Sequence, residues 1–228
     1  MIDQTALAAA RRDARKRYGI RLVSVEGEPI SLADAWAHLR LEPDGSPEGT
    51  DHDAWLTSVG IPGARDYCEH YIGASIAPQT LELATNGFPT GFIPLPFGPI
   101  LSVVSVTFLD PDASPPQYST MDTADYQLNA YVLPTRLELA YGASWPTAVD
   151  FDGSVKVQYT AGYSLPDDSP QVNVLPYGIK AAMLLMLGHL FENREATAQS
   201  TATSSLVEEL PLGVAALLER YRLRLSMA

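Results

Sequence analysis

The apolar residues of this 228-residue chain change their period twice, and that pattern constrains the fold more than any other feature. Towards both ends they recur every three to four residues, as on one face of a helix; from Thr80 to Tyr163 they alternate, as on a half-buried strand. The pattern predicts an α+β fold: a helical core from N- and C-terminal helices, a central antiparallel β-rich region and a C-terminal docking helix.

Local signals place the elements. Thr5 to Arg17 is rich in Ala and Arg, a helix former with little apolar stripe that is expected to lie exposed or to order against a partner. An extended segment follows from Arg21 to Val25. Ser31-Leu-Ala-Asp34 then reads as a capping-box start, with Asp in place of the usual Glu, to a helix through Leu39 whose apolar face is Leu32, Ala35, Trp36 and Leu39. The segment Pro43 to Thr50 is rich in Pro, Gly, Ser and acid and ends at Asp51, a cap for a second helix carrying Trp55, Leu56, Val59, Ala64, Tyr67, Cys68 and Tyr71. Pro62 predicts a kink or restart, with the proline in the first turn of the second half, and Gly73 a stop.

In the middle, Val104, Val106 and Phe108 alternate with Ser105 and Thr107, Leu137 and Leu139 with Arg136 and Glu138, and Val155, Val157 and Tyr159 with Lys156 and Gln158. These are antiparallel strands punctuated by prolines, and Asp110 to Asp125 reads as a mobile loop. Beyond Pro176, Ile179 to about Arg194 is a helix apolar on nearly every side, expected to be buried against other helices or another subunit. Ala196 to Ser205 has the composition of a flexible linker. In the last helix Val214, Leu217, Leu218, Tyr221 and Leu225 share one face, with Arg220 and Arg224 on another: a basic amphipathic helix fit to dock. The expected organisation is a basic extension 1–28, a body 29–195 (helices 31–73, β-rich 79–163, core helix 176–195), a linker 196–209 and a docking helix 210–228.

Charge is uneven along the chain. The formal net charge is −12. Residues 1–21 carry six basic and two acidic groups, and residues 215–228 carry three arginines against one glutamate, so the stretch between holds a net −18. An acidic body repels phosphate and argues against a groove that grips DNA. The longest apolar stretch, Ala181 to Leu187, extends to Phe191 only through Gly188 and His189, short of the roughly 20 residues of a bilayer span, so no membrane partner is expected. No apolar segment follows the N-terminal arginines, so no export signal is expected. A single cysteine forms no intramolecular disulfide and points to a reducing compartment.

Catalytic motifs are sparse. The sequence has no G-x-S-x-G, P-loop, G-x-G-x-x-G or H-E-x-x-H. Cys68 sits on the apolar side of its helix and reads as an inert core thiol, not as a nucleophile with His70. Asp51-His52-Asp53 and Asp34/His38 offer metal-ligand atoms, but capping and helix-surface pairing account for them. His189 and Glu192, one helical turn apart, are half of a di-metal set without its second copy, and His189 reads better as a packed or inter-subunit histidine. Asn193-Arg194-Glu195 either solvates the helix end or pairs with a neighbouring chain. Tyr126, Tyr131, Tyr141, Tyr159 and Tyr163 lack interleaved basic residues and are expected to pack in strands rather than stack on bases.

The ordered series Ser31-Leu-Ala-Asp-Ala-Trp-Ala-His-Leu-Arg40, Gly87-Phe-Pro89, Pro94-Leu-Pro96, Pro99-Ile100, Ser105-Val-Thr-Phe-Leu-Asp110, Trp145-Pro146, Val157-Gln-Tyr-Thr-Ala-Gly-Tyr163, Ile179-Lys-Ala-Ala182, Gly188-His-Leu-Phe-Glu-Asn-Arg-Glu195 and Leu210-Pro-Leu-Gly-Val214 with Tyr221-Arg222 resembles the head-tail connector, or adaptor, proteins of long-tailed bacteriophages and their counterparts in phage-derived gene transfer agents. The resemblance runs from about Ser31 to Arg222. It implies a non-enzymatic ring of typically twelve copies, without cofactor or metal, at the neck of a particle assembled in the bacterial cytoplasm. The ring would bind the portal protein on one side and a stopper or tail protein on the other, with double-stranded DNA passing through its lumen without sequence-specific binding.

The resemblance further implies portal docking by the C-terminal segment, here Leu212, Val214, Leu217, Leu218, Arg220, Tyr221, Arg222, Arg224 and Leu225, and subunit contacts through His189, Glu192 and Arg194. Aspartate at both 217 and 218 is then expected to leave the body folded and to block incorporation. A stopper or tail-completion protein of the same particle is the nearest alternative, and a small metal-dependent hydrolase using Asp51, His52 and Asp53 the more distant one. The extension Met1 to Arg21, the segment Pro43 to Thr50 and the Gly60 to Gly63 break depart from the family pattern.

Overall fold

The computed structural model describes residues 18–41, 52–165, 173–193 and 212–223. The expected helix Thr5 to Arg17, the Pro43 to Thr50 segment with Asp51, and the linker 196–209 lie outside them, as do Arg194, Arg224 and Leu225. The fold is α+β, with helices and antiparallel sheets in two compact units that interleave in sequence. Met1–Glu26 and Pro78–Gly162 make one unit; Gly27–Ala77 and Tyr163–Ala228 make the other.

The first unit is all β. A five-stranded sheet has the order β1-β2-β8-β4-β5, from β1 (Gly19–Val25), β2 (Gln79–Thr85), β4 (Ile100–Asp110), β5 (Gln117–Thr120) and β8 (Val155–Ala161). A three-stranded sheet has the order β3-β7-β6, from β3 (Ile93–Leu95), β6 (Tyr126–Asn129) and β7 (Thr135–Leu139). Every pairing is antiparallel. Leu81, Leu83, Val106, Val155, Val157 and Tyr159 of the larger sheet and Ile93, Leu95 and Leu137 of the smaller are buried in one core. The Tyr159 hydroxyl donates to the Pro96 carbonyl at 3.0 Å, the partner a buried phenol needs.

The alternation at 155–159 and 137–139 has the predicted phase. In β4 Val106 and Phe108 have it too, but Val104 is 53% exposed, because irregularities at Ile100/Ser102 and Val103/Ser105 shift the register and turn Val103 inward in its place. A one-residue bulge puts the residues on its two sides out of phase, and no local signal marks it. Asp110 to Asp125 is not a loop throughout. It holds β5 and a 3₁₀ turn, Thr123–Asp125, capped by the Asp122 side chain on the Ala124 N–H. Within the segment 1–28, Gly19–Val25 is a strand of the sheet. Of the tyrosines expected to pack in strands, Tyr159 does so, whereas Tyr131 and Tyr141 project fully into solvent from turns.

The second unit is helical. It contains α1 (Leu32–Leu39), a helical run through 52–55 and a π-helical turn Leu56–Gly60 into α2 (Ile61–Ile72), then α3 (Tyr177–Glu192) and α4 (Leu212–Leu218) with a 3₁₀ turn Glu219–Tyr221. Ser31 and Asp34 form the predicted capping box, and Gly73 ends α2 in the left-handed conformation that glycine adopts without strain. The expected break near Pro62 takes the form of the π turn. It widens the helix in the turn that leads into the proline, which falls in the first turn of α2, and the Ile61 N–H donates to the Leu56 carbonyl across it.

Gly60 at the end of that turn is held by packing, not by conformation. A Cβ there would lie 2.6 Å from Cζ3 of Trp55 and 2.9 Å from Cδ1 of Leu187. Gly60→Ala, which elsewhere in a helix gains about 1 kcal/mol, is therefore expected to cost about 1–3 kcal/mol of the helical unit's stability, read as a lower denaturant midpoint at unchanged slope.

Candidate assembly surface of the helical unit

The proposed contact residues converge on α3 and α4, so the packing of these helices decides which remain available. Ile179, Ala182, Met183, Met186 and Leu187 of α3 are buried in the unit's core. Its remaining face is open: Tyr177, Ala181 and Leu185 are exposed, four residues apart along the helix. Within the chain, the expected covering of α3 by other helices is found on its inner faces, and this stripe is left open.

Val214 and Leu218 of α4 are 0% exposed and belong to the same core as α3. Leu217 and Tyr221 are half-buried against it. The apolar face assigned to docking on a partner is therefore largely occupied within the chain, because a short helix with only one apolar stripe gains most by seating it on the nearest buried surface. Tyr221 lies against Gly178 of α3, where a Cβ would come within 2.8 Å of the phenol oxygen. Leu212 is the first residue of α4, Gly213 and Ala216 are exposed along it, and Glu219 and Arg220 are exposed in the turn that follows.

The turn after α4 is tied to α2. The Leu223 N–H donates to the Ile72 carbonyl at 2.8 Å, and the Tyr71 hydroxyl donates to Glu219 Oε2 at 2.9 Å. That bond to a carboxylate raises the Tyr71 pKa. Arg222 pairs with Glu219 at 3.9 Å and lies over the Tyr71 ring, and Arg220 hydrogen-bonds the Tyr221 hydroxyl. Both guanidinium groups remain at the surface. At the end of α3, Glu192 is exposed, while His189 is half-buried and engaged by Asn193, whose amide also donates to the His189 carbonyl at 2.9 Å as a helix cap. His189 and Glu192 are thus placed on the last turn of α3, away from the Tyr177–Leu185 stripe's start by more than two helical turns.

The residues considered for metal or catalysis are engaged otherwise. Asp53 accepts the Trp36 indole N–H at 2.6 Å, and the His52 ring packs edge-on against Phe191. Burial raises the Asp34 carboxyl, but Lys180 at 2.9 Å and two bonds from Ser31 outweigh it and hold the group below its usual range. Among the described residues no group of three or more His, Cys, Asp or Glu could hold a metal ion. Cys68 is buried, and burial pushes its thiol up to about 12. Native protein is therefore expected to leave Cys68 unmodified by a thiol-disulfide reagent at pH 8, with one equivalent released on denaturation; rapid native labelling would contradict the packing of α2.

A buried polar cluster escaped the sequence reading. Arg65 of α2 pairs with Glu28 at 3.0 Å and with Glu69 at 3.2 Å. Glu69 also accepts the backbone N–H groups of Ile76 at 2.6 Å and Ala77 at 3.1 Å, and the Ile76 carbonyl accepts from the Tyr163 N–H. Three segments where the helical unit's chain begins, leaves and resumes are joined at one site. The i, i+4 spacing of Arg65 and Glu69 was legible; Glu28 and the two amides were not, because they arrive from elsewhere in the chain. Burial pushes the Glu69 carboxyl up, only partly offset by the amides and Arg65.

No helix among the described residues is long and apolar enough to cross a membrane. No protein-family model matches the sequence, and no curated protein does. Solved structures do share the fold. A chain from the neck of an empty GTA particle computed with C6 symmetry is 24% identical, with a TM-score of 0.64 over 90% of this chain and 95% of that one. A chain from the virion of a native gene transfer agent (GTA) particle is 22% identical, with a TM-score of 0.62 over 89% and 94%. A third, from the neck of a native GTA particle computed with C12 symmetry, is 24% identical, with a TM-score of 0.60 over 89% and 94%. Over nine-tenths of its length, then, this chain has the fold of chains found in gene transfer agent particles.

Proposed function

We propose that this protein is a structural head-tail connector, an adaptor that forms a ring beneath the portal of a phage-like particle, extends the DNA channel and joins the head to the stopper or tail. One observation carries the reading: the near-complete overlap in fold, across both units, with chains from the neck of GTA particles. The acidic body fits a conduit that DNA must slide through without adhering, and the ring symmetry of those necks fits self-association. The reading assigns no catalysis.

Because Val214 and Leu218 are committed to the chain's own core, portal contact in this reading falls to the other residues assigned to docking: Leu212, Leu217, Arg220, Arg222, Arg224 and Leu225. Cryo-electron microscopy of the protein mixed with the portal protein of the same particle tests the assignment. A closed ring seated on the portal with these residues of segment 212–228 at the contact is the expected result. Failure to associate at any concentration would overturn the reading, and a ring that binds only beneath a separate adaptor would make this chain the stopper.

A further inference from the structure

We propose that the five-stranded sheet continues from one copy of the chain to the next, with β1 of one copy pairing along β5 of its neighbour. This rests on the ring reading above and specifies how the copies meet. Among the described residues both strands are sheet edges: β1 pairs with β2 alone, and β5 with β4 alone. Each therefore presents a row of main-chain donors and acceptors with no strand beside it, the feature that directs strand addition.

β1 lacks the usual devices that blunt an edge along its first half. Gly19–Leu22 is regular, proline-free and exposed throughout; its single charge, Arg21, is held by Glu82 at 3.0 Å, and the irregularity comes only after Leu22. Ile20 and Leu22 stand opposite Leu83 and Leu81, so they carry the core face of the sheet outward to a rim where they stay 40% and 52% exposed. The regular stretch has four residues, as does β5.

Strand direction and charge select the partner. All four pairings in the sheet are antiparallel, so β1 and β5, four steps apart, run the same way. A sheet extended by an identical copy then joins them in parallel, start beside start. The start of β1 is preceded by Arg11, Arg12, Arg15, Lys16 and Arg17. The start of β5 faces Asp110 across its ladder, with Asp112 in the same turn. The loop with Asp150 and Asp152 is drawn alongside by the Val149 N–H on Leu109 O at 3.1 Å and by the Tyr118 hydroxyl on Gly153 O at 2.9 Å. Parallel pairing sets the basic segment of one copy on the acidic loops of the next, which fixes direction and speeds association. Pairing of β1 with a second β1 would close at two copies; opposite edges of one sheet make a head-to-tail contact, which can close into a ring.

Ser24 and Thr120 are small, exposed residues at the far ends of the two strands, on the same face of the sheet. Full-length Ser24→Cys, Thr120→Cys and the double variant, alone and co-expressed with the portal protein, would be treated with a short bismaleimide; buried Cys68 gives little background. The double variant is expected to form a ladder beyond the dimer, and each single variant to remain monomeric on a denaturing gel. Adding Asp112→Lys and Asp152→Lys, or raising salt from 50 to 500 mM, is expected to reduce the ladder several-fold. Dimers from Ser24→Cys alone would overturn the proposal in favour of β1–β1 pairing. Oligomers seen by light scattering without a ladder would overturn it and leave the ring reading intact; no oligomer in either setting would remove both.

Discussion

Leu218→Ala is expected to destabilise the helical unit by about 2–5 kcal/mol, the cost of a cavity at a fully buried leucine. Leu217→Ala, at a half-buried position, is expected to cost less than half as much. The difference is readable as separate denaturant midpoints by circular dichroism at 222 nm, which follows the helices. Leu218→Asp goes further, placing a carboxylate among Val214 and the α3 side chains with no partner in that core, and the unit is expected to unfold. This reverses the expectation from sequence that aspartates at 217 and 218 leave the body folded. If Leu218→Ala shifted the midpoint by under 0.5 kcal/mol, α4 would be undocked in solution, and its apolar face would again be open to a partner.

Glu69→Ala is expected to cost about 2–4 kcal/mol, because it leaves two amides unsatisfied and removes one of the two carboxylates that Arg65 pairs with, Glu28 remaining. Glu69→Gln separates charge from geometry. Its amide oxygen can still accept from Ile76 and Ala77, and burial already raises the Glu69 carboxyl, so the loss is expected to be smaller than for alanine. Hydrogen exchange at the Ile76 and Ala77 amides supplies the local readout: protection should fall sharply in Glu69→Ala and partly persist in Glu69→Gln. Equal losses in both variants would mean that the ion pair with Arg65, not the two amides, carries the cluster's contribution.

Much of the fold was legible because its signals are local. Ser31 and Asp34 sit three residues apart, the spacing of a capping box, and both bonds form. Gly73 stops a helix because its left-handed conformation costs a residue with a side chain more than it costs glycine. Val155, Val157 and Tyr159 alternate because a regular strand has period two. The errors fall where an outcome depends on a partner distant in sequence. The β4 bulge, set against β8 about 55 positions onward, exposes Val104, and the extended segment Arg21 to Val25 becomes part of a sheet, rather than of an extension, only beside β2, about 60 positions onward.

The candidate site divides the same way. That α4 is amphipathic follows from the spacing of Val214, Leu217, Leu218 and Tyr221, but periodicity records only that a face is apolar, not what covers it. The covering surface turned out to be the chain's own α3, with Gly178 making room for Tyr221. Sequence alone determined most element types, the capping box at Ser31, the stop at Gly73 and the charge asymmetry, since these depend on neighbours within one or two helical turns. Tertiary structure alone decided which apolar faces are consumed inside the chain and which edges and stripes stay open, because burial is a competition among segments that only the folded arrangement resolves.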